Sequence, residues 1–285
     1  MATILMGAPV ADALNANLSE RVAALNAKGV TPTLAILRVG ERPDDIAYEK
    51  GAMKRCEKVG LAVRNVLLGA DTTQETLIAR IRDLNSDPAV HGVLMFRPLP
   101  GHLDEPAACE ALSPSKDVDG ITQGSLAGVF SGTNIGYPPC TPQACMEILD
   151  YYGIDVKGAR AAVIGRSLVV GKPAAMMLLS RHATVTICHT RTMDMPSVVR
   201  EAKVVIAAAG KAGVVGPGYF APGQIVLDVG INMGADGKLT GDVDFACAQP
   251  IVEAITPVPG GVGTVTTSVL VKHTVEAAER SQAAP

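Results

Sequence analysis

The sequence has no tryptophan, and aromatic residues make up only 3% of its 285 residues. This scarcity argues against the stacking surfaces of single-strand nucleic-acid binders and against the aromatic belts of membrane proteins. The net charge of −3 also lacks the basic surplus that nucleic-acid-binding proteins carry. We therefore expect neither a nucleic acid nor a membrane as a partner.

Metal-ligand and targeting patterns are missing as well. The six cysteines form no Cys-x-x-Cys pair and no Cys/His ligand spacing, which predicts no metal site and buried thiols in a reducing compartment. The N-terminal segment has no positively charged start and no long apolar run, so we expect no signal peptide and no transmembrane span. The expectation is a cytoplasmic protein. The cysteines are Cys56, Cys109, Cys140, Cys145, Cys188 and Cys247.

The length suits two α/β domains, and apolar strand patterns alternate with helical ones, which predicts parallel β-α-β units. Thr72 and Glu75 have the spacing of a capping box, and Thr141-Pro142 is typical of a helix start. The pattern breaks over 116–142, where we place the domain crossover. Predicted strands cover 33–39, 61–68, 92–96, 161–164, 184–188, 204–208 and 225–229; predicted helices cover 8–27, 45–59, 141–153, 173–180, 196–202 and 267–281.

A glycine turn follows the strand at 161–164. Gly165 at the end of a strand lets the backbone approach a pyrophosphate, and the next helix offers its unpaired N–H groups to that charge. Gly171 comes six positions later, which is not the Gly-x-Gly-x-x-Gly fingerprint. An ordinary strand-to-helix turn therefore remains an alternative at this point.

The next predicted strand ends without a carboxylate, in Cys188-His-Thr-Arg-Thr. An NAD site usually has an acidic residue there for the ribose hydroxyl. Arg191, helped by Arg166, can instead pair with a ribose 2′-phosphate, which favours NADP over NAD. The alternative is that both arginines are solvated surface charge. Two more glycine clusters, over 228–232 and 256–263, follow predicted strands where α/β sheets bind ligands.

Two sets of short segments occur in a characteristic order along the chain. The C-terminal half contains Gly-Arg-Ser-Leu-Val-Val-Gly-Lys-Pro, Cys-His-Thr-Arg-Thr, Asp-Val-Gly-Ile-Asn, Gly-Asp-Val and Thr-Pro-Val-Pro-Gly-Gly-Val-Gly. The N-terminal half contains Val39-Gly40, Tyr48, Pro98-Leu99-Pro100, Lys116-Asp-Val-Asp-Gly120 and Pro139-Cys-Thr-Pro142. Taken together, these segments resemble the methylenetetrahydrofolate dehydrogenase/methenyltetrahydrofolate cyclohydrolase (FolD) family, and the similarity spans nearly the whole chain in the family's order.

The resemblance implies a folate-binding domain over 1–140 plus the C-terminal helix at 266–285, and a Rossmann-like NADP domain over 141–265. It also implies a cleft between them, a homodimer, and hydride transfer from methylene-tetrahydrofolate to NADP. Tyr48 and Asp119 then become catalytic residues that also bind substrate. The further residues implied for the substrate are Pro98, Gly260, Gly261 and Val262, and those for the cofactor are Gly165, Arg166, Ser167, Thr190, Arg191, Gly210 and Ile231.

Two positions depart from the family. The family has a lysine four residues after the tyrosine, where this chain has Ala52, and a glutamine that hydrogen-bonds that lysine, where this chain has Phe96. Lys50 and Lys54 are rotated by about 160° and about 120° from the Tyr48 face of a helix. Hydrolysis of the methenyl carbon needs water activation, whereas hydride transfer needs mainly two rings in place.

We therefore predict a dehydrogenase whose cyclohydrolase step is weak or lost. The alternatives are a bifunctional enzyme that also makes formyl-tetrahydrofolate, a non-catalytic folate- or nucleotide-binding homologue, and an altered pterin or one-carbon substrate. Arg97 is a further candidate for a replacement cation.

Overall fold

The computed structural model describes residues 1–234 and 237–283, along which helices and strands alternate. The strands are β1 (Thr3–Ile4), β2 (Thr33–Val39), β3 (Ala62–Leu68), β4 (Gly92–Met95), β5 (Arg160–Ile164), β6 (Thr184–Cys188), β7 (Val204–Ala207), β8 (Ile225–Asp228), β9 (Asn232–Met233), β10 (Leu239–Thr240) and β11 (Ala254–Ile255). The helices are α1 (Gly7–Ala27), α2 (Pro43–Val59), α3 (Gln74–Ser86), α4 (Glu105–Ala111), α5 (Gln123–Ser131), α6 (Cys140–Tyr151), α7 (Gly171–Ser180), α8 (Met195–Arg200), α9 (Phe245–Ala248) and α10 (Val262–Ala283).

The chain divides into two compact units. The six-stranded unit comprises Met1–Asp12 and Thr141–Thr266, and the three-stranded unit comprises Ala13–Cys140 with the described residues from Thr267 onward. Residues 1–12, which the prediction groups with the folate-binding domain, lie in the six-stranded unit, because β1 pairs in parallel with β11 of the larger sheet. Two residues are too few for a strand pattern to be visible in the sequence. Ala284 and Pro285, which the predicted domain included, lie outside the described residues.

The larger sheet has the strand order β1-β11-β8-β7-β5-β6, and its neighbouring strands are parallel. β7 and β8 are buried along their whole length, as unbroken apolar runs predict for strands covered on both faces. The predicted α/β class with a Rossmann-like parallel sheet is confirmed. Because the strands are parallel, the loops that follow β5, β6, β7 and β8 all leave the same edge of the sheet, which we call the carboxyl edge.

The smaller sheet has the order β3-β2-β4 and is also parallel. Its central strand, β2, is buried from Leu34 to Val39. Helix α3 packs against this sheet through Leu77, Ile81 and Leu84. Strand β3 lies at the edge of the sheet.

Several helix boundaries differ from the predictions. Thr73, not Thr72, caps α3, since its hydroxyl accepts from the Thr76 N–H at 3.2 Å. The helix predicted to begin at Thr141 begins at Cys140, and the last helix begins at Val262 rather than at residue 267. The irregular stretch over 116–142 contains α5, a nine-residue helix too short to show a helical repeat. None of the helices within the described ranges is long and apolar enough to cross a bilayer.

Candidate functional site

The turn after β5 is as tight as a phosphate-binding turn requires. Gly165 has φ +129°, and a Cβ there would collide with the carbonyl oxygen of Ala208. A Cβ on Gly171 would in turn collide with the Gly165 carbonyl oxygen. The two glycines six positions apart therefore let α7 begin directly against the end of β5. As in the Gly-x-Gly-x-x-Gly fingerprint, glycine here allows close packing of a helix against a strand end.

Ser167 shapes the turn between these glycines. Its hydroxyl accepts from the Val170 N–H at 3.1 Å, which satisfies a donor just before the first turn of α7. Arg166 and Ser167 are both exposed at the carboxyl edge. The structure thus places Gly165, Arg166 and Ser167 together, as a cofactor turn requires.

The turn after β6 presents Thr190 and Arg191 to solvent. It is closed by His189, whose N–H donates to the Thr192 hydroxyl at 2.9 Å and whose Nδ1 accepts from the Arg191 N–H at 3.1 Å. Neither Arg166 nor Arg191 forms an ion pair within the described residues. Both guanidinium groups are therefore available to an anionic ligand at this edge.

A cavity of about 270 Å³ opens beside the end of β8. It is lined by Asp228–Ile231, Leu239 and Pro257–Thr264, so it brings the predicted cofactor residue Ile231 together with the predicted substrate residues Gly260, Gly261 and Val262. Ile231 has a large apolar side chain, and 67% of the residue is exposed. A cavity with an exposed apolar rim and glycine backbone suits a flat ring.

The three-stranded unit holds the other predicted site residues. The rings of Tyr48 and Phe96 meet edge to face, with centroids 5.8 Å apart and an interplanar angle of 83°. Ala52, one turn along α2 from Tyr48, is completely buried. Lys50 and Lys54 are exposed, as their rotation from the Tyr48 face predicts.

Helix α2 is fixed to the sheet by a buried ion pair that the sequence did not reveal. Arg38 Nε lies 2.8 Å from Glu49 Oε2, and both side chains are less than a tenth exposed. Arg38 also donates to the carbonyl oxygen of Gly40. At the start of the helix, Arg42 Nη1 donates to the carbonyl oxygen of the predicted substrate residue Pro98 at 3.0 Å.

Asp119 is the candidate acid or base of this unit. Burial raises the pKa of its carboxyl to about 6, while the neighbouring Cys140 side chain and the Arg97 charge act in the opposite direction. The turn that carries Asp119 is held by Asp117, whose carboxylate accepts from the Thr122 N–H at 2.8 Å and the Ser125 hydroxyl at 2.6 Å. Asp119 is therefore held in place by its own loop.

Neither Tyr48 nor His273 is a second base beside Asp119 at neutral pH. Tyr48 as a whole is 41% exposed, but its hydroxyl is desolvated. This burial and the Asp119 charge raise the pKa of the hydroxyl, so Tyr48 donates rather than accepts a proton. His273, whose Nδ1 lies 2.9 Å from the Val118 carbonyl oxygen, is kept neutral because burial lowers its pKa to about 3. Within the described residues, no cluster of three or more His, Cys, Asp or Glu side chains is suited to a metal ion.

Two buried carboxylates at the carboxyl edge went unrecognised as site residues. Asp228 ends β8, and Asp242 follows β10 in the Gly-Asp-Val segment. They are 3% and 0% exposed. In the sequence, the Gly-Asp-Val segment draws attention to Asp242. The residues that donate to its carboxylate, however, are distant along the chain, so the segment alone does not reveal its contacts.

The fold and these sites define a dinucleotide-binding α/β enzyme with a second, smaller parallel sheet. The family model for the NAD(P)-binding domain of tetrahydrofolate dehydrogenase/cyclohydrolase matches residues 139–282, and the model for the catalytic domain of the same enzymes matches residues 5–119. The chain therefore belongs to the tetrahydrofolate dehydrogenase/cyclohydrolase family. Membership makes it an oxidoreductase of folate one-carbon chemistry that uses a nicotinamide dinucleotide.

Individual relatives cover almost the whole chain. It is 53% identical over 281 residues to the bifunctional protein FolD of Carboxydothermus hydrogenoformans, covering 98% of each chain. The crystal structure of the bifunctional FolD enzyme of Campylobacter jejuni matches with a TM-score of 0.95 and 38% identity, over 98% of this chain and 99% of that one. The Trypanosoma brucei enzyme, solved with NADP cofactor and an inhibitor, matches with a TM-score of 0.91 and 36% identity over 99% of both chains.

Proposed function

We propose that this protein oxidises methylene-tetrahydrofolate to methenyl-tetrahydrofolate with NADP, and that it hydrolyses the methenyl product weakly or not at all. In the oxidation a C–H bond of the methylene carbon breaks, its electron pair moves as hydride to the nicotinamide ring, and the carbon is left as the methenyl cation. For this step the protein has to hold the pterin and the nicotinamide ring in place, and no residue has to activate water.

The assignment of NADP rests on the turn after β6. No carboxylate follows Cys188 in that turn to accept from a ribose hydroxyl, while Arg191 and Arg166 are exposed and free of ion pairs within the described residues. A guanidinium group forms charge-assisted hydrogen bonds with a 2′-phosphate. NADP in the Trypanosoma brucei relative supports the same cofactor. The pyrophosphate is assigned to Gly165, Ser167 and Gly210, the ribose to Thr190, and the nicotinamide to Ile231.

The folate is assigned to Tyr48, Asp119 and Pro98, together with Gly260, Gly261 and Val262. Tyr48 offers a ring face for stacking and a hydroxyl that stays protonated. Asp119 has a carboxyl whose pKa is raised to about 6, so above that pH it is a carboxylate that accepts hydrogen bonds from the N–H groups of a pterin.

One observation carries the proposed loss of hydrolysis: the ring of Phe96 and the methyl group of Ala52 occupy the positions of the family's glutamine and lysine. Ala52 is fully buried and Phe96 is 9% exposed, in edge contact with Tyr48. Attack of water on the methenyl carbon develops a charge that an ammonium group and its amide partner would stabilise. An alkyl group and an aromatic ring cannot replace them.

We do not assign the role of the missing cation to Arg97, although its charge acts on the Asp119 carboxyl. Its Nη1 lies 3.8 Å from the Glu105 carboxylate, which partly neutralises it. The same carboxylate accepts from the Leu99 N–H at 2.8 Å, so Glu105 holds its position next to Arg97. We therefore assign Arg97 to the support of the loop that contains Pro98.

A homodimer is proposed through the edge strand β3. One side of this strand pairs with β2, and its other side is the outer edge of the three-stranded sheet. Leu67 on β3 is 57% exposed. The open edge of β3, whose exposed residues are Arg64, Asn65 and Leu67, suits antiparallel pairing with the same strand of a second copy about a twofold axis. Six free cysteines suit a reducing compartment, which supports the cytoplasm as the location.

Two alternatives make different experimental predictions. A bifunctional enzyme, as the Carboxydothermus relative is named, forms NADPH and also consumes added methenyl-tetrahydrofolate. A non-catalytic binding homologue does neither. The proposed enzyme forms NADPH when mixed with methylene-tetrahydrofolate and NADP.

The experiment is to measure NADPH formation and, separately, the decay of methenyl-tetrahydrofolate added directly to the protein. We expect NADPH formation that is abolished in Asp119→Ala, and methenyl decay that is much slower than NADPH formation after correction for decay in buffer. Absence of NADPH formation would refute the dehydrogenase assignment. Enzyme-dependent methenyl decay as fast as NADPH formation, and lost in Asp119→Ala, would refute the weak or absent hydrolysis.

A further inference from the structure

Asp242 is a completely buried carboxylate surrounded by hydrogen-bond donors. Its Oδ2 accepts from the N–H groups of Ala209 at 2.6 Å and Gly210 at 2.9 Å. Its Oδ1 accepts from the N–H of Lys211 and from Nδ2 of Asn232, both at 2.9 Å. Three consecutive backbone N–H groups that converge in this way form a concave anion site. Here a carboxylate of the protein itself fills that site.

These donors come from the loops after two neighbouring parallel strands, β7 and β8. Ala209, Gly210 and Lys211 lie in the loop after β7, and Asn232, the first residue of β9, ends the loop after β8. Gly210 and Ile231, two of the residues assigned to the cofactor, lie in these loops. The Asp242 carboxylate therefore links the two loops at the carboxyl edge, although no part of it is exposed to a ligand.

Asp242 is itself held by the second buried carboxylate. Asp228 Oδ1 accepts from the Asp242 N–H at 3.0 Å and from the Gly230 N–H at 2.9 Å, and its Oδ2 accepts from the Val243 N–H at 3.0 Å. A Cβ on Gly241 would collide with Asp228 Oδ2, so only glycine allows this approach. The end of β8, the Gly-Asp-Val turn and the two loops thus form one connected set of hydrogen bonds.

We propose that Asp242 is a positioning residue that holds the loops after β7 and β8 in register and thereby sets the affinity for NADP without touching the cofactor. This inference deepens the proposed function, because it rests on Gly210 and Ile231 contacting NADP. The carboxylate is preorganised by Asp228, so the loops are in place before the cofactor arrives. Binding then requires no ordering of these two loops.

The test is Asp242→Asn, an isosteric change. The amide keeps one acceptor oxygen and turns the other into an NH₂ group that faces N–H donors, so about half of the hydrogen bonds are lost and a donor–donor clash appears. We expect the dissociation constant and the KM for NADP to rise by about tenfold or more, since charge-assisted hydrogen bonds are among the strong ones. The KM for methylene-tetrahydrofolate and kcat should stay within about twofold.

The matched control is Asp244→Ala, two residues along the chain. Asp244 Oδ1 caps α9 by accepting from the Cys247 N–H at 3.1 Å, so this variant also removes a carboxylate that accepts a backbone hydrogen bond, but from outside the two loops. We expect a lower melting temperature and an unchanged NADP dissociation constant. A third variant, Asn232→Ala, removes one of the donors to Asp242 and should raise the dissociation constant by about threefold.

Calorimetric titration with NADP distinguishes the outcomes without relying on turnover. An unchanged dissociation constant in folded Asp242→Asn would overturn the inference, and so would an equal rise in Asp244→Ala, which would make the effect one of general stability. Should Asp242→Asn fail to fold, Asn232→Ala decides in the same way: a selective rise supports the inference and no rise overturns it. Wild-type protein that does not bind NADP would instead refute the proposed function itself.

Discussion

Buried carboxyl groups play different roles in the two units. At the carboxyl edge of the six-stranded sheet, Asp228 and Asp242 accept hydrogen bonds from backbone N–H groups and so fix the loops around them. In the three-stranded unit, the Asp119 carboxyl lies close enough to the Cys140 and Tyr48 side chains to affect the pKa values of those groups. The Asp228–Asp242 pair binds backbone N–H groups, whereas the Asp119 carboxyl is the one that we propose binds a ligand.

This difference bears on the proposed loss of hydrolysis. Hydrogen bonds within the protein hold the loops at the carboxyl edge, where we propose that the cofactor binds. In the proposed pterin site, within the described residues, no ammonium group lies on the Tyr48 face of α2. Hydride transfer would need only the ordered cofactor loops and a bound pterin, whereas hydrolysis would also need a cation at the position of Ala52. The predictions below test this contrast, from the largest expected effect to the smallest.

Asp119→Asn should have the largest effect. The amide cannot act as a double acceptor for a pterin, so we expect kcat/KM for methylene-tetrahydrofolate to fall about 100-fold, or roughly 3 kcal/mol. Affinity for NADP should be unchanged, because Asp119 belongs to the three-stranded unit. Steady-state kinetics with each substrate varied in turn measures both. An equal loss of NADP affinity would contradict the assignment of Asp119 to folate binding alone.

Arg191→Gln should come next and affect the carboxyl edge alone. Loss of the charge-assisted contact to the 2′-phosphate should reduce the preference for NADP over NAD about 30-fold, or roughly 2 kcal/mol. The matched control is Arg160→Gln at the start of β5, where the guanidinium pairs with Glu201 at 2.6 Å instead. Kinetics with both cofactors gives the preference, and an unaltered preference in Arg191→Gln would argue that this arginine is only surface charge.

The double variant Ala52→Lys with Phe96→Gln should create hydrolysis. Removing the ring makes room for the amine, and we expect methenyl decay to rise about tenfold above that of the wild type, since a positioned acid or base contributes at least that much. Ala52→Met with Phe96→Gln is the control, with similar bulk and no charge. Because Ala52 is fully buried, both variants should lose stability. Equal decay in the two variants would contradict an electrostatic role for the lysine.

The smallest effect concerns stability and pH. Folding raises the pKa of Asp119 from 3.8 to about 6, so the native state retains a proton that the unfolded chain has released between these values. Its contribution to stability is complete below pH 3.8 and is lost as the pH rises through 6. Between pH 5 and pH 7 this amounts to about 1 kcal/mol.

Denaturant unfolding at the two pH values should therefore show a smaller pH dependence in Asp119→Asn than in the wild type. An identical dependence in both proteins would show that the Asp119 carboxyl is solvated in the native state. The Asp228 carboxyl, whose pKa burial also raises to about 6, should supply a similar dependence that remains in the variant.

Much of the fold could be predicted because its signals are local. The apolar runs at β2 and β6 gave their boundaries to the residue, and Gly165 and Gly171 marked the turn after β5. What could not be predicted depends on contacts between distant segments. The pairing of β1 with β11 involves two residues on each strand, and α5 is too short for a helical repeat.

The candidate site divides in the same way. Tyr48, Ala52 and Phe96 could be identified by spacing and by resemblance, whereas the contact between the rings of Tyr48 and Phe96 is visible only in the structure. The Arg38–Glu49 ion pair and the partners of Asp242 are tertiary, so no periodicity reveals them. Arg38 is a charged residue in the otherwise apolar β2, and its burial requires a partner, but the sequence does not identify Glu49 as that partner.

The central claim is that oxidation survives without hydrolysis, and the ratio of the two products tests it most directly. Wild-type protein is mixed with methylene-tetrahydrofolate and NADP, and the absorbance bands of NADPH and of the methenyl product are followed together. The account predicts that both species accumulate in a one-to-one ratio, corrected for decay in buffer. A methenyl signal that falls behind NADPH in proportion to enzyme concentration would contradict it.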